Sequence, residues 1–329
     1  MTIFGIRDAE RGTRDSTSRR GVIAAVLLLI SLPVVLVLVE AVSYYAQKRS
    51  NGFMVSSGRQ REYLLYVPKS YDRSKPTPLV ISLHGGAMWP AAQMETSQWN
   101  RVADEHGFIV VYPSGVSGEG PRAWRGGGGA GLMSDVRFIS ELIDTLGAHY
   151  NIDPTQVYAN GLSNGGGMAF ELSCTLSDRI AAVGMVATAI FLPWSSCPDR
   201  RAVPMIAFHG TADRAARYHG GKSWVARRYV FPDIPTWIAN WGRRNRCAPK
   251  AVDVAVAMDV TRRTYTNCAN GAAVVLYTIE GGGHTWPGGG PMPEWFAGAT
   301  SNSVDASSLM WAFFREHPLR DTQTAVRHK

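Results

Sequence analysis

The fold is decided by the stretch Gln156-Val-Tyr-Ala-Asn-Gly-Leu-Ser-Asn-Gly-Gly-Gly-Met-Ala-Phe170, which predicts a short strand, a sharp turn and a helix that begins near Asn164. The turn contains Gly161-Leu-Ser-Asn-Gly165, which matches the pattern G-x-S-x-G. Glycine neighbours allow the strand and the helix to approach closely, so that Ser163 can be held in a strained conformation with its hydroxyl exposed. With 34 glycines in 329 residues, chance supplies roughly 0.2 such matches per chain, so the surrounding elements must support the assignment.

Length and composition suit one large domain or two small ones, because 45% of the 329 residues are hydrophobic and 18% are charged. The formal net charge is +8, which is compatible with nucleic acid as a partner. The basic residues are scattered, however, and the chain has no pattern typical of a nucleic-acid-binding module. We therefore expect no nucleic-acid partner.

The N-terminal part of the chain predicts a membrane segment. Residues 1–20 are polar and contain five arginines against three acidic residues, and the chain is then apolar from Gly21 to Val39 apart from one serine and one proline. Such a run can cross roughly 30 Å of hydrocarbon, whereas a cleavable signal peptide has an apolar core of about 7–15 residues. We predict a transmembrane signal-anchor at residues 21–45, with residues 1–20 in the cytoplasm and the rest periplasmic or extracellular. Two alternatives stay open, namely cleavage of this segment, which would give a secreted protein, and a buried core helix.

Four cysteines form an even set in a domain that is predicted to be exported, and this favours disulfide bonds. The preferred one of three possible connectivities joins sequence neighbours, Cys174 with Cys197 and Cys247 with Cys268. Each bond would close a loop of about twenty residues and contribute about 3 kcal/mol to stability. Free buried thiols are the alternative. Neither C-x-x-C nor a His/Cys cluster with zinc spacing occurs, so we expect no metal.

Short apolar runs bounded by proline or glycine predict buried strands. These cover residues 61–68, 77–84, 108–112, 157–158, 180–186, 203–208, 261–266 and 273–279. Helices are predicted at residues 98–106, at 134–146 with Ser134 as the N-cap, at 164–176, around Trp237 and Trp241, and at 305–317. The alternation of strands and helices indicates an α/β fold with a mostly parallel central sheet that is covered by helices on both faces.

The order of these elements predicts one catalytic domain. After the membrane segment we expect a linker at residues 46–58, the α/β domain at 59–318 and a polar tail at 319–329. The sequence shows no internal repeat that would indicate a second domain.

A serine hydroxyl needs a neighbouring base, and the base needs a carboxylate that orients it. Asp213 follows the predicted strand 203–208 directly, and His284 follows the strand ending at Ile279 on a loop with three glycines. Both positions agree with the chain order Ser, Asp, His and with sites at the carboxyl ends of strands. Each residue could instead belong to a surface turn or loop. The less favoured acids are Asp178, Asp199, Asp233, Asp253 and Asp259, and the less favoured bases are His317 and His328.

An acyl-transfer site also needs two backbone N–H groups for the oxyanion. Asn164, at the predicted helix start, supplies one candidate, and the loop His84-Gly-Gly-Ala87 supplies the second through Ala87 or Gly86. His84 and His209 fit a structural hydrogen-bonding role better than a catalytic one. Tryptophans near these motifs are candidates for a substrate pocket, although plain packing explains any one of them equally well. These are Trp89, Trp124 and Trp286.

Four motifs together resemble the polyhydroxybutyrate depolymerase-like esterases, which are related to the feruloyl and acetylxylan esterases of carbohydrate esterase family one. They are Leu83-His-Gly-Gly86, Gly161-Leu-Ser-Asn-Gly-Gly-Gly-Met168, Phe208-His-Gly-Thr-Ala-Asp213 and Tyr277-Thr-Ile-Glu-Gly-Gly-Gly-His-Thr-Trp-Pro-Gly288. The resemblance extends over residues 57–317 and implies an α/β-hydrolase fold. It also implies Ser163 as nucleophile, Asp213 as orienting acid and His284 as base, without a metal or organic cofactor. The loop after Asp213 departs from the family in its arginines, Arg214 and Arg217, which would alter the mouth of the site.

The resemblance implies an exported serine carboxylic-ester hydrolase that is held at the membrane by its N-terminal anchor. Its expected substrates are hydroxyalkanoate oligomers or feruloyl- or acetyl-type esters. An acyltransferase or a peptidase with the same three residues is the alternative enzyme. A binding protein on a hydrolase scaffold is the alternative from another class.

Overall fold

The apolar runs of the sequence form one ten-stranded sheet in a computed structural model, which describes residues 49–116, 122–125, 130–188, 197, 201–223 and 230–319. The predicted cytoplasmic segment, the predicted signal-anchor and His328 in the predicted tail lie outside these ranges. Among the residues that are described, no helix combines the length and the apolar composition that crossing a membrane requires.

Six neighbouring strands of the main sheet run parallel, and an antiparallel pair of strands flanks them at each edge. The strands are β1 (Gly52–Ser56), β2 (Arg59–Tyr66), β3 (Thr77–Leu83), β4 (Ile109–Pro113), β5 (Ile152–Leu162), β6 (Ala182–Val186), β7 (Met205–Gly210), β10 (Val252–Ala257), β11 (Val260–Tyr265) and β12 (Val274–Ile279). Their order is β1-β2-β4-β3-β5-β6-β7-β12-β11-β10, in which β4 to β12 are the parallel strands. Two short strands, β8 (Gly221–Lys222) and β9 (Val230–Phe231), form a separate antiparallel ribbon.

Helices cover both faces of the sheet, as the alternating pattern predicts. They are α1 (Pro90–Ser97), α2 (Trp99–His106), α3 (Ala130–His149), α4 (Asn164–Thr175), α5 (Ile234–Arg244), α6 (Glu294–Ala297) and α7 (Ala306–Arg315), with a 3₁₀ turn at Ala269–Gly271. The apolar faces of α3, α4 and α5 pack into one hydrophobic core, and those of α2 and α7 pack into another.

The two cores lie on opposite faces of the sheet because successive side chains of a strand point in opposite directions. In β3, Leu79 and Ile81 belong to the first core and Val80 to the second, and all three are fully buried. A strand buried on both faces has no alternation of apolar and polar residues. This is why the central strands appear in the sequence as continuous apolar runs.

The structure corrects two predicted boundaries. Residues 46–58 are not a linker throughout, because β1 pairs antiparallel with β2. Phe53 and Val55 of β1 face solvent, whereas Met54 between them packs against the core. Both faces of the strand therefore carry apolar residues, and the alternation that would predict a strand is missing. The proposed N-cap Ser134 is also wrong, since α3 begins at Ala130 and includes Gly131 despite the cost of a helical glycine of about 1 kcal/mol.

The preferred disulfide connectivity is confirmed. Cys174 is bonded to Cys197, and Cys247 is bonded to Cys268. The described part of the chain holds no free cysteine. Such bonds are typical of proteins that fold in an oxidising compartment.

Candidate active site

Three parallel strands bring the predicted catalytic residues to one edge of the sheet. Ser163 follows β5, Asp213 follows β7 and His284 follows β12. The hydrogen-bond register aligns the carboxyl ends of β5, β6, β7 and β12 in one row. In open α/β sheets, ligands bind beyond this edge.

Ser163 occupies a strained turn between β5 and α4. Its φ of 53° and ψ of −116° lie in a region that residues other than glycine rarely adopt. The Ser163 N–H donates to the carbonyl of Val186 at 2.8 Å, and its own carbonyl accepts from the N–H of Gly167 at 3.0 Å and the hydroxyl of Thr188 at 3.2 Å. These contacts hold the backbone in place without using the hydroxyl, which is the geometry of a nucleophile elbow.

The glycines of the turn are required by close backbone contacts. A Cβ on Gly165 would lie 2.6 Å from the carbonyl oxygen of His84, and a Cβ on Gly161 would lie 2.7 Å from the nitrogen of Gly166. Both distances are shorter than real contacts of a Cβ atom. The G-x-S-x-G pattern is therefore set by the packing of β5, α4 and the loop after β3.

The predicted acid and the predicted base form a buried hydrogen-bonded pair. The Nδ1 atom of His284 lies 2.8 Å from Oδ2 of Asp213. The other carboxylate oxygen, Oδ1, accepts the N–H groups of Ala215 and Ala216, each at 2.8 Å. An ionised carboxylate can only accept, so Nδ1 of His284 carries a proton and Nε2 has the lone pair that a base needs.

Asp213 lies in a buried site that nevertheless favours its ionised form. Burial acts to raise its pKa, but His284, His209 and the N–H of Ala216 outweigh this effect, so that the pKa of Asp213 lies below its ordinary value. Burial also lowers the pKa of His209. The Nε2 atom of His209 lies 2.6 Å from the carbonyl oxygen of Ala216 and 3.4 Å from Oδ2 of Asp213. His209 thus ties the acid to its own loop, in agreement with its predicted structural role.

Several of the rival acids and bases considered from the sequence have structural partners. Asp233 accepts from the N–H of Thr236 as the N-cap of α5, Asp253 pairs with Arg263, and Asp259 accepts from Ser301. The ring of His317 is bonded to the carbonyl of Phe313. Asp199 lies outside the described residues.

His84 fixes the position of the predicted oxyanion loop, residues 84–87, through two hydrogen bonds of its ring. Its Nε2 accepts from the N–H of Gly115 at 2.9 Å, so its Nδ1 carries the proton and donates to the carbonyl of Gly85 at 2.7 Å. Burial lowers the pKa of His84 to about 4, which keeps this ring neutral. The N–H of Ala87 donates to the carbonyl of Arg122 at 2.7 Å, which makes Ala87 the weaker candidate for an oxyanion donor. Gly86 is exposed and lies beside the start of α4, where a Cβ added to it would be 3.8 Å from Cβ of Asn164.

Residues 122–125, which we call the clip, join this loop to the start of α4. The side chain of Asn164 accepts from the N–H of Trp124 at 2.6 Å and donates to its carbonyl at 3.1 Å. The indole N–H of Trp124 donates to the carbonyl of His84 at 3.0 Å. The clip therefore fixes the spacing between the two segments that carry Gly86 and Asn164.

A buried ion pair holds the clip to the body of the domain. Arg61 of β2 and Asp135 of α3 are 3% and 0% exposed, and their charged groups are 2.9 Å apart. The second oxygen of Asp135 accepts the N–H of Arg125 at 2.9 Å, and the Arg61 guanidinium lies 3.9 Å from the ring centroid of Phe138. Local sequence patterns do not reveal this pair, because its two members are remote along the chain and become neighbours only in the fold.

The three predicted pocket tryptophans have different surroundings. Trp286 is 1% exposed and donates to the hydroxyl of Ser307, so it belongs to the core beneath α7. Trp124 is buried as part of the clip. Trp89 is half-buried, with the Arg122 guanidinium 4.0 Å from its ring centroid. Trp295, which was not predicted as a pocket residue, is exposed on α6, the helix whose last residue, Ala297, accepts from the N–H of His284.

Fold and site together define a protein of the α/β-hydrolase class. The solved structure of "Acetyl xylan esterase from Aspergillus awamori" matches with a TM-score of 0.52 at 15% identity and covers 68% of this chain and 89% of its own, which supports the fold. The model of the family described as Esterase PHB depolymerase matches residues 61–218.

Two relatives extend the match along the chain. NocK of Nocardia uniformis subsp. tsuyamanensis, which is named as a putative esterase, is 30% identical over 278 residues, which is 77% of this chain and 79% of NocK. Feruloyl esterase B of Piromyces equi is 31% identical over 230 residues, which is 68% of this chain and 42% of that protein. The chain thus spans less than half the length of feruloyl esterase B. The chain belongs to the Esterase PHB depolymerase family.

Proposed function

We propose that the chain is a serine carboxylic-ester hydrolase that works through an acyl-enzyme on Ser163. The observation that carries this proposal is the 2.8 Å hydrogen bond between His284 and Asp213, at the edge of the sheet to which the strained turn of Ser163 belongs. Membership of a family of esterases supports the same chemistry.

Acylation begins when the Ser163 oxygen attacks the ester carbonyl carbon and Nε2 of His284 takes the hydroxyl proton. The imidazolium that forms is stabilised by Asp213, whose ionised state is maintained by its hydrogen bonds. The N–H groups of Asn164 and Gly86 receive the negative charge on the former carbonyl oxygen. His284 then gives its proton to the leaving alcohol, and Ser163 keeps the acyl group.

Deacylation repeats these steps with water. His284 takes a proton from the water molecule as it attacks the acyl carbon, and the same two N–H groups stabilise the second oxyanion. Collapse of this intermediate returns the proton to Ser163 and releases the carboxylic acid. All of these roles are filled by residues of the chain.

We infer that the substrates are hydroxyalkanoate oligomers or feruloyl- or acetyl-type esters. The name of the family supports the hydroxyalkanoate esters, and that of feruloyl esterase B supports the feruloyl esters. We also propose that the domain is exported and held at the membrane by residues 21–45, or secreted if this segment is cleaved. The two disulfide bonds and the apolar run from Gly21 to Val39 support export.

The test compares the full chain with its Ser163→Ala variant on methyl ferulate and on a 3-hydroxybutyrate trimer. We expect hydrolysis of at least one ester by the wild type and a loss of several orders of magnitude in the variant. Labelling of Ser163 by a fluorophosphonate, read by mass spectrometry, reports the nucleophile independently of the substrate. A wild type that hydrolyses neither ester and is not labelled would refute the proposal, whereas transfer of the acyl group to an added alcohol would indicate an acyltransferase.

A further inference from the structure

A groove of about 530 Å³ lies beside the loops that carry the acid and the base. Its walls come from the Asp213 loop, through Ala212 and Arg214, and from α6 and the residues after it, including Glu294 and Trp295. Neither the motifs nor the proposed acylation steps assign a role to it.

The groove shares backbone contacts with the catalytic loops. Ala212 and Arg214 are the chain neighbours of Asp213. The N–H of His284 donates to the carbonyl of Ala297, a lining residue, at 2.5 Å, and the N–H of Gly283 donates to the carbonyl of Ala299 at 2.8 Å. A ligand in this groove would therefore lie next to the segments that hold the acid and the base.

Trp295 gives the groove an aromatic surface. Its side chain is 86% exposed, and its ring centroid lies 5.8 Å from that of Phe296, which is 40% exposed, in an edge-to-face arrangement. Exposed aromatic side chains that cluster at a concave site mark binding surfaces. The face of an indole ring carries partial negative charge, so it attracts the polarised C–H groups of a sugar ring.

The two charged residues of the groove distinguish between possible ligands. Arg214 and Glu294 are both exposed. A guanidinium can only donate hydrogen bonds and a carboxylate can only accept them. A hydroxyl group does both, whereas the interior of a polyester chain offers only acceptors and has no donor for Glu294.

We propose that this groove binds a sugar ring in the alcohol part of the ester substrate, stacked on Trp295 and hydrogen-bonded to Arg214 and Glu294. The inference rests on the proposed esterase function for its role in catalysis, but the binding itself can be measured separately. It places carbohydrate esters ahead of hydroxyalkanoate oligomers as substrates.

The binding test uses the full chain with Ser163→Ala and the unesterified probes xylohexaose and cellohexaose, followed by tryptophan fluorescence and calorimetry. We expect at least one probe to bind, and Trp295→Ala or Glu294→Ala to raise its Kd at least tenfold. The matched control is Phe53→Ala, which removes an aromatic side chain that is 55% exposed on β1 and should leave the Kd unchanged. Failure of both probes to bind, or equal binding by the Trp295→Ala variant, would overturn the proposal.

The kinetic test compares acetylated xylohexaose with p-nitrophenyl acetate. Trp295→Ala should lower the ratio of kcat/KM for the oligosaccharide ester to that for p-nitrophenyl acetate at least tenfold, through KM. A lower ratio for a 3-hydroxybutyrate hexamer instead would show that the groove binds polyester. If the wild type hydrolyses none of these esters, the proposed function fails, while the binding test still decides what the groove takes up.

Discussion

Asp213 has a carboxylate whose two oxygens serve different purposes. Oδ1 is held by the backbone of its own loop, and Oδ2 faces His284 and His209. The loop contacts fix the direction of Oδ2, so the imidazole of His284 is held in one tautomer. This geometry supports the orienting role that we propose for Asp213, in which its charge and its shape both matter.

Replacement of the Asp213 carboxylate by an amide removes its charge but keeps its shape. Asp213→Asn should keep the fold but lower kcat by about 10⁴-fold, because an amide neither stabilises the imidazolium nor selects the tautomer. Steady-state kinetics on p-nitrophenyl acetate measures the effect. The matched control is Asp259→Asn, since Asp259 was a rival acid and accepts a hydrogen bond from Ser301 instead. A loss of less than tenfold in Asp213→Asn would show that another carboxylate orients His284.

Glu171 is a buried acid that the proposed mechanism does not use. It lies on α4 at 6% exposure, and burial raises its pKa from 4.5 to about 7. The folded state therefore keeps the proton on Glu171 to a higher pH than the unfolded chain does. The corresponding part of the free energy of unfolding is fully present below pH 4.5 and is lost as the pH rises through about 7.

Glu171→Gln should remove this pH dependence. We expect the variant to have a higher Tm than the wild type at pH 8, with a difference that shrinks between pH 7 and pH 5. Thermal unfolding followed by circular dichroism at several pH values provides the measurement. Glu316→Gln, at an exposed position after α7, serves as the control. A Tm difference that grows towards low pH would mean that the ionised form is the stable one in the fold.

At the scale of elements, the clip links β2, α3 and α4 to the oxyanion loop. Arg61 also donates to the carbonyl of Ser114 at 3.2 Å, next to the Gly115 that bonds His84. The ion pair thus contacts the clip through Arg125, and it contacts Ser114, which precedes Gly115 in the chain. Loosening this ion pair should displace the proposed oxyanion donors without direct contact with Ser163, Asp213 or His284.

Arg61→Lys tests this link, because a lysine keeps the charge but cannot make both contacts. We expect kcat to fall about 10- to 100-fold with little change in KM, since oxyanion donors act mainly in the transition state. Arg201→Lys is the control for stability, because Arg201 donates to the carbonyls of Ser177, Ile180 and Ala181 away from the clip. If kcat falls in both variants in proportion to the decrease in Tm, the effect of Arg61→Lys on kcat is explained by lower stability alone.

Local sequence predicts the structure well where that structure depends on neighbours in the chain. The helix start at Asn164 and the parallel arrangement of the central strands follow from local patterns and the alternation of strands with helices. Prediction fails where partners meet only in the fold. Examples are the ion pair of Arg61 with Asp135 and the hydrogen bond from the Ala87 N–H to the carbonyl of Arg122. The start of α3 was not predicted because glycines in this region favour a loop locally. In the fold, Asp135 of this helix is held by Arg61, which is remote along the chain.

At the scale of the whole molecule, the disulfide bonds and the candidate site lie at opposite ends of the sheet. Helix α4 starts after Ser163 and carries Cys174 roughly 16 Å away along its axis. Cys268 precedes β12, whereas His284 follows it. The covalent links therefore stabilise the ends of elements that are remote from the chemistry.

This separation predicts that stability and activity respond differently to loss of a disulfide. The double variant Cys247→Ser/Cys268→Ser should lose about 3 kcal/mol in the free energy of unfolding, because the bond closes a loop with a sequence separation of 21. Its kcat at 25 °C should stay within twofold of the wild type, since the parallel strands still align Ser163, Asp213 and His284. Urea unfolding and kinetics on p-nitrophenyl acetate give both quantities, and Cys174→Ser/Cys197→Ser provides a second bond for comparison. A variant with unchanged stability but lower kcat would contradict this prediction. It would show that the disulfide bond affects the geometry of the site rather than the stability of the fold.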